Sequence, residues 1–259
     1  AQDASEILVV LPSLGDRLES LSRALDSATS QDGVTVRVVT VVPTTATRAI
    51  ELARSKGVEV LADPGRGMSA AINVGIAARK NEEKYIWLGD DDYYRPGGLR
   101  ELSALLDGHP DAVVAYGACD YVDDEGSVLW TSRAGGLASA VIGIGPNLIP
   151  HPAALMRLDA IEQVGGYDEQ LHLVMDLDLL LRLKKTGRFV STRFVVSEFG
   201  WHPGSLTVQD RKASAAEARM VKRRNLGPIA RIVEPLWEYP VNWASHIAAR
   251  RLNRRGMAK

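Results

Sequence analysis

Apolar and amphipathic segments alternate along residues 1–115 of the chain. Four apolar runs lack the polar alternation of a half-exposed strand and so predict buried strands, over Ile7–Leu11, Val34–Val42, Val58–Leu61 and Tyr85–Leu88. Between these runs apolar residues recur at helical spacing, which predicts helices over Leu18–Ala28, Thr45–Lys56, Met68–Arg79 and around Leu99–Leu106. Strands that alternate with helices predict an α/β fold with a mostly parallel central sheet and helices on both of its faces.

The rhythm changes after residue 115. Short apolar runs at Ala112–Tyr116 and Val128–Thr131 flank a turn at Asp123–Gly126, which predicts a hairpin. Helices near Asp159–Val164 and Asp176–Lys185 and a late strand at Phe189–Val196 follow. The pattern is helical from Ser205 onward. We therefore expect three regions: a nucleotide-type half over 1–115, a second half on the same sheet over 116–205, and a basic helical C-terminal extension over 206–259.

Composition excludes several protein classes and says little else. The 259 residues are 46% hydrophobic and 24% charged, which excludes collagen-like, coiled-coil and wholly disordered chains. The one cysteine, Cys119, excludes an internal disulfide and favours a reducing compartment. No N-terminal signal stretch is visible, so we expect a cytoplasmic protein.

The net charge of −1 hides a basic C-terminal region. From Arg211 onward, twelve Lys and Arg side chains oppose three glutamates, and aromatic residues such as Trp237 and Trp243 lie among them. This region is expected either to dock peripherally on the inner face of an anionic membrane or to pack as a helix on the body or on a second subunit of a homodimer. Nothing resembles a base-reading motif, so nucleic acid is not an expected partner.

Residues 134–156 contain no Asp, Glu, Lys or Arg and are about long enough to cross a bilayer. Seven glycines and prolines in this stretch would break a helix there. We therefore interpret the stretch as a buried or substrate-lining loop and strand.

Three segments carry candidate chemistry. Asp90, Asp91 and Asp92 directly follow a predicted strand, where open α/β sheets bind ligands; carboxylates suit Mg²⁺ or Mn²⁺, although a solvated acidic turn is the alternative. The Gly-rich loop of Asp63–Gly67 leads into a helix, with Arg66 available for a phosphate. Asp176 begins the later helix and is either a general base or a helix cap.

In this order the three segments resemble the family 2 glycosyltransferases, which have a nucleotide-sugar-binding α/β fold called GT-A. The resemblance covers about residues 6–205. Its motifs are Pro12 after the first strand, the "G-x-x-x-A-x-N-x-G" pattern of Gly67–Gly75 that contains Asn73, the acidic motif Trp87–Asp92, the hairpin after Gly117, His151 with Gly165–Asp168, and the helix Met175–Arg182.

The resemblance implies a metal-dependent inverting transfer of a hexosyl or deoxyhexosyl group from a nucleotide-diphosphate sugar to a glycan or lipid-linked glycan, in cell-surface polysaccharide biosynthesis. It gives Asp176 the role of base and Asp92 and His202 the role of ligands to Mg²⁺ or Mn²⁺. The implied donor contacts are Pro12, Asp63, Arg66, Gly67, Asn73, Asp90, Asp91 and Arg211. Residues 1–115 would bind the nucleotide sugar and residues 116–205 the acceptor.

Departures from the family pattern leave the donor open. Family members often have an acidic residue that contacts the nucleobase after the second strand, where this chain has Val41–Thr44. Met175 and Leu180 replace the usual Glu and Trp. Two other functions are alternatives: a sugar-phosphate nucleotidyltransferase, which the loop at Gly15–Leu18 weakly resembles, and a non-catalytic nucleotide- or glycan-binding module of the same fold.

Overall fold

A computed structural model describes residues 6–123, 125–133, 135–201 and 211–226 of the chain. The strands in these ranges are β1 (Ile7–Pro12), β2 (Val36–Val42), β3 (Glu59–Ala62), β4 (Lys84–Trp87), β5 (Tyr93–Tyr94), β6 (Ala112–Val122), β7 (Val128–Ser132), β8 (Ala154–Arg157) and β9 (Arg188–Gly200). The helices are α1 (Leu18–Thr29), α2 (Thr47–Ser55), α3 (Met68–Ala77), α4 (Gly98–Asp107), α5 (Gly136–Val141), α6 (Leu158–Val164), α7 (Met175–Leu183) and α8 (Arg211–Asn225), with a 3₁₀ turn at His151–Ala153.

The nine strands of the described ranges form one sheet. Its order is β3-β2-β1-β4-β8-β6-β9-β5, and β7 pairs with β6 beside this path. Strands β1, β2, β3, β4, β6 and β9 point one way, whereas β5, β7 and β8 run against their neighbours. The predicted α/β fold with a mostly parallel sheet and flanking helices is confirmed.

Helices cover both faces of the sheet, which explains why the sequence of β1 is apolar throughout. Leu8 and Val10 point into the core under α3, α6 and α7, while Ile7, Val9 and Leu11 point into the core under α1, α2 and α4. Successive side chains of a strand face opposite sides, so a strand between two cores has no polar face. The packing of α3 is close enough to require glycine, because a Cβ at Gly75 would lie 2.3 Å from Val10 Cγ1.

Both predicted halves contribute to this one sheet. Strand β6 runs through the boundary expected at residues 115 and 116, and β8 lies between β4 and β6. Away from the sheet, the Asn73 side chain binds the Tyr167 backbone twice: Nδ2 donates to its carbonyl and Oδ1 accepts from its amide, both at 2.9 Å. These two bonds fix α3 to the segment that follows α6.

The uncharged stretch contains the loop and strand that its sequence predicts, together with a short helix that it does not. Helix α5 begins after Gly135, whose φ of 53° lets the chain turn where a side chain would strain it. The stretch ends in β8. Across the described ranges, no helix combines the length and apolar character that a bilayer crossing needs. Within the expected extension the structure describes residues 211–226, which contain α8, and residues 206–210 and 227–259 lie outside the described residues.

Candidate functional site

A cavity of about 450 Å³ opens at the carboxyl ends of β1 and β4. Its wall combines residues that follow these two strands with residues from the starts of two later segments, the 3₁₀ turn and α7. The residues that line the cavity include Pro12, Ser13, Arg17, Trp87, Asp90, Asp91, Asp92, His151, His172, Leu173, Asp176 and Phe199. The strand-end position predicted for the acidic triplet therefore coincides with a cavity.

One side of the cavity consists of Ser13, Arg17, Asp90 and Asp91, which we call the Arg17 wall. Ser13 Oγ donates to Asp90 Oδ2 at 2.5 Å. The Arg17 guanidinium donates to Asp90 Oδ1 at 2.5 Å and to Asp91 Oδ2 at 2.8 Å. Burial raises the pKa of Asp90, and the Ser13 hydrogen bond and the Arg17 charge oppose that rise. The guanidinium therefore pairs with two adjacent carboxylates and offsets part of their charge.

A second group of lining residues consists of Trp87, Asp92, His151 and Asp176, which we call the His151 wall. The Asp92 side chain is 1% exposed. Its Oδ1 accepts from the Gly200 amide at 3.0 Å, and its Oδ2 lies 3.0 Å from His151 Nε2. The His151 ring stacks on Trp87 with centroids 3.9 Å apart, which fixes the plane of the imidazole.

Asp176 lies in the first turn of α7, where it faces Trp87. The indole Nε1–H of Trp87 donates to Asp176 Oδ1 at 3.1 Å. Burial raises the pKa of Asp176, while the His151 charge and the hydrogen bonds from Trp87 and Tyr167 act against it. A carboxylate whose pKa is raised toward the working pH is a better general base than an ordinary aspartate.

The imidazole of His151 is held beside acidic groups. Burial alone would lower its pKa, but the hydrogen bond to Asp92 and the charges of Asp92, Asp176 and Asp91 outweigh burial and raise it. The His151 wall therefore places a readily protonated imidazole between two carboxylates.

The carboxylates at the end of β4 fit partial coordination of a divalent ion. Within the described ranges, no group of three or more His, Cys, Asp and Glu side chains is arranged to hold a metal ion. Mg²⁺, however, is commonly held by one or two carboxylates, with substrate phosphates and water completing its shell. Asp91 and Asp92 line the cavity and supply oxygen donors of that kind.

The Gly-rich loop lies beside the cavity, and its side chains make local contacts. Asp63 Oδ1 accepts from the Gly65 amide at 2.8 Å, and Arg66 pairs with Glu169 at 3.1 Å. Gly67 precedes α3 with a φ of 100°, and a Cβ there would lie 3.7 Å from His172 Nδ1. Pro12 lines the cavity, while Asn73 makes the two Tyr167 bonds described above.

The structure does not describe the side chains of two predicted site residues, His202 and Arg211. His202 lies outside the described residues. Arg211 begins α8, and its side chain is among those not described.

The structure adds site residues that the sequence reading did not single out. Ser13 and Arg17 follow β1 as the aspartates follow β4, so the strand-end rule applied to β1 would have found them. Phe199 closes the cavity with its ring centroid 5.4 Å from that of His151. It comes from the end of a long strand and carries no sequence signal for a site.

Comparison with known proteins identifies the family. The model of the glycosyl transferase family 2 matches residues 8–165, more than half of the chain. Among curated proteins, no sequence matches this chain.

Solved structures of glycosyltransferases share the fold. S. aureus TarS 1–349 in complex with UDP-GlcNAc is similar with a TM-score of 0.64 and 16% identity, covering 83% of this chain and 65% of that one. The match to the longer S. aureus TarS chain has a TM-score of 0.61 and spans 39% of it at 16% identity. The mannosyltransferase PcManGT from Pyrobaculum calidifontis, in complex with GDP-Man and Mn²⁺, has a TM-score of 0.67 and 16% identity, with 100% of this chain and 77% of that one covered.

The predicted GT-A fold is thus confirmed, and so is the resemblance that was carried by the order of the motifs. The chain belongs to glycosyltransferase family 2.

Proposed function

We propose that the chain is a metal-dependent inverting glycosyltransferase that moves a sugar from a nucleotide-diphosphate donor to an acceptor hydroxyl, in the synthesis of a cell-surface polysaccharide. One observation carries the proposal: a single cavity joins the strand-end carboxylates to Asp176, a carboxyl with a raised pKa held by Trp87. Inverting transfer needs both a base for the acceptor proton and a site for a departing diphosphate.

In the proposed reaction Asp176 accepts the proton of the acceptor hydroxyl. The acceptor oxygen attacks the anomeric carbon from the face opposite the diphosphate, forming the new glycosidic bond. The old bond between carbon and phosphate oxygen breaks, and its electron pair leaves with the nucleoside diphosphate. Trp87 keeps the base oriented through its bond to Oδ1. A bound Mg²⁺ or Mn²⁺, held by Asp92, would offset the charge of the diphosphate.

The Arg17 wall and the Gly-rich loop are the proposed donor side. Asp90 and Asp91 are the expected partners of ribose and sugar hydroxyls, and Pro12, Asp63, Arg66, Gly67 and Asn73 belong to the same half. His202 as a metal ligand and Arg211 as a diphosphate contact stay predictions. The donor base and sugar stay open, because Val41–Thr44 has no acidic residue to contact a nucleobase.

The proposed acceptor is a glycan or lipid-linked glycan bound by residues 116–205. Aromatic rings lead outward from Phe199 in support of this: Tyr121 lies 5.1 Å from Phe199, and Trp130 stacks on Tyr121 at 4.3 Å. Aromatic faces suit the apolar faces of sugar rings. The basic extension is proposed to act in the cytoplasm, either at the inner membrane face or on a second subunit.

Thermal unfolding with a panel of nucleotide diphosphates and nucleotide-diphosphate sugars, with and without Mn²⁺, tests the proposal. Ligand at about a hundred times its Kd adds about 2.7 kcal/mol to the free energy of unfolding. We expect a metal-dependent rise in Tm with one nucleotide, lost in Asp92→Asn and kept in Asp159→Asn, whose carboxylate is exposed on α6.

Turnover separates the alternatives. Release of nucleoside diphosphate from the stabilising donor supports a transferase. Formation of a nucleoside triphosphate from the donor and pyrophosphate would indicate the nucleotidyltransferase instead, and binding without turnover would indicate the non-catalytic module. The absence of any Tm shift would refute the donor site.

A further inference from the structure

Helix α8 is held against the body by one face. Val221 is fully buried in the core beside α7. Around it, Lys222 Nζ donates to the Gly145 carbonyl at 2.6 Å, and Arg224 pairs with Asp168 at 3.0 Å. Glu217 lies one turn before Val221 on the same face. The position of α8 is therefore fixed by several contacts, and Glu217 is presented by a well-anchored helix.

The Glu217 carboxylate binds the backbone that leads into α7. Its Oε1 accepts from the His172 amide at 3.1 Å, and its Oε2 accepts from the Leu173 and Val174 amides at 2.8 and 2.9 Å. One carboxylate thus holds three successive peptide groups. His172 and Leu173 also line the cavity.

Glu217 supplies hydrogen-bond acceptors that the sequence next to α7 does not. The amide groups at the start of a helix have no partners within the helix. Val174 precedes α7 and, being apolar, gives no side-chain cap. A negative charge at this end is favourable because of the helix dipole, and hydrogen bonds to an ionised acceptor are stronger than neutral ones. Glu217, 43 to 45 residues further along the chain, therefore binds the Val174 amide at the helix start and the two amides before it, and places its negative charge at this end of α7.

We infer that Glu217 is a positioning residue for the transfer reaction. Asp176 lies two residues beyond the last amide that Glu217 binds, so the three bonds set where the first turn of α7 begins. The carboxylate of Asp176 then meets the indole of Trp87. Glu217 is not among the residues that line the cavity, and it acts through the 172–174 backbone. The inference rests on the proposed function, in which Asp176 takes the acceptor proton.

The test uses the Trp87 indole N–H as a reporter in the full-length protein. The chain has five tryptophans, so a ¹H–¹⁵N spectrum resolves few indole signals, and Trp87→Phe assigns the one of interest. We expect Glu217→Ala to shift the Trp87 indole signal and to speed hydrogen exchange of the 172–174 amides. The matched control is Arg224→Gln, which removes another contact of α8 and should leave both readouts unchanged.

Kinetics and a conservative variant complete the test. Misplacing a catalytic group by about 1 Å costs up to about 10²-fold in rate, so kcat for donor turnover should fall by about tenfold or more in Glu217→Ala. Glu217→Gln keeps one oxygen for Leu173 and Val174 and should restore most of the turnover while the His172 amide loses protection. This variant also keeps the test decisive if Glu217→Ala fails to fold.

Two results would overturn the inference: an unchanged Trp87 signal in a folded Glu217→Ala protein, or an equal shift in Arg224→Gln. Failure of the proposed function reads differently. In that case the Trp87 signal moves in Glu217→Ala, but the wild-type protein turns over no nucleotide sugar.

Discussion

The two walls of the cavity hold similar carboxylates in different ways. On the Arg17 wall, a guanidinium that is 42% exposed pairs with both Asp90 and Asp91. On the His151 wall, ring N–H groups hold Asp92 and Asp176, and the rings themselves are stacked. An exposed cation exchanges partners at little cost, whereas ring-held groups keep their orientation. In the proposed function, the Arg17 wall would meet the donor, which binds and leaves, and the His151 wall would hold the base and the metal-binding carboxylate in fixed orientations.

The largest expected effect is the loss of turnover when Asp176 in the His151 wall is replaced. Asp176→Asn keeps an oxygen for the Trp87 indole but cannot take a proton, so turnover should fall by about 10²–10⁴-fold. Because burial raises the pKa of the native carboxyl, the neutral amide should leave Tm unchanged or slightly higher. Steady-state kinetics with thermal unfolding checks both points. Retained turnover in a folded variant would remove Asp176 as the base.

The pH dependence of the free energy of unfolding is an effect of intermediate size at the His151 wall. The pKa of His151 is raised above its ordinary value of 6.5, so the native protein binds this proton more tightly than the unfolded chain. The stabilisation is complete below about pH 6.5 and is lost as the pH rises through the raised pKa. Urea unfolding across this range should show a falling free energy of unfolding that His151→Gln flattens. An equally steep fall in His151→Gln would place the responsible group elsewhere.

The smallest of the three expected effects is at the Arg17 wall. Arg17→Gln removes two ion pairs that share a cation 42% exposed to solvent, and an exposed pair is worth about 0–1 kcal/mol. Donor affinity should nevertheless fall, because Asp90 and Asp91 lose the cation that orients them. Arg188→Gln is the control, since its exposed pair with Asp111 lies away from the cavity lining. Equal loss of donor affinity in both variants would contradict the division between the walls.

The sequence predicted the elements that are buried on both faces and adjacent along the chain. The apolar run Ile7–Leu11 predicts β1, which has one residue more, because a strand that is buried on both faces has apolar residues at successive positions. The pairing of Asp178 with Arg182 at 2.7 Å also follows from helical spacing alone. By contrast, β5 has only two residues and no pattern to detect, and the uncharged stretch predicts a strand without giving the bounds of β8.

The site was predictable as a location but not as an arrangement. The rule of strand ends placed Asp90–Asp92 at a cavity, and the order of motifs gave the family. Asp92 and His151 are 59 residues apart, and Trp87 and Asp176 are 89 apart. Partners at such separations follow from the sheet order, which no local pattern contains. Glu217 was missed for the same reason, since its contacts are with backbone amides of another element.

The insertion of β8 between β4 and β6 has a consequence for synthesis of the chain. Strand β4 is buried along its whole length, and until residues 154–157 leave the ribosome one of its edges lacks a partner. Unpaired apolar edges are templates for association with other chains. Fragments that end before residue 154 should therefore aggregate. The synthesis of residues 154–157 thus determines when the second edge of β4 is paired and no longer open to association with other chains.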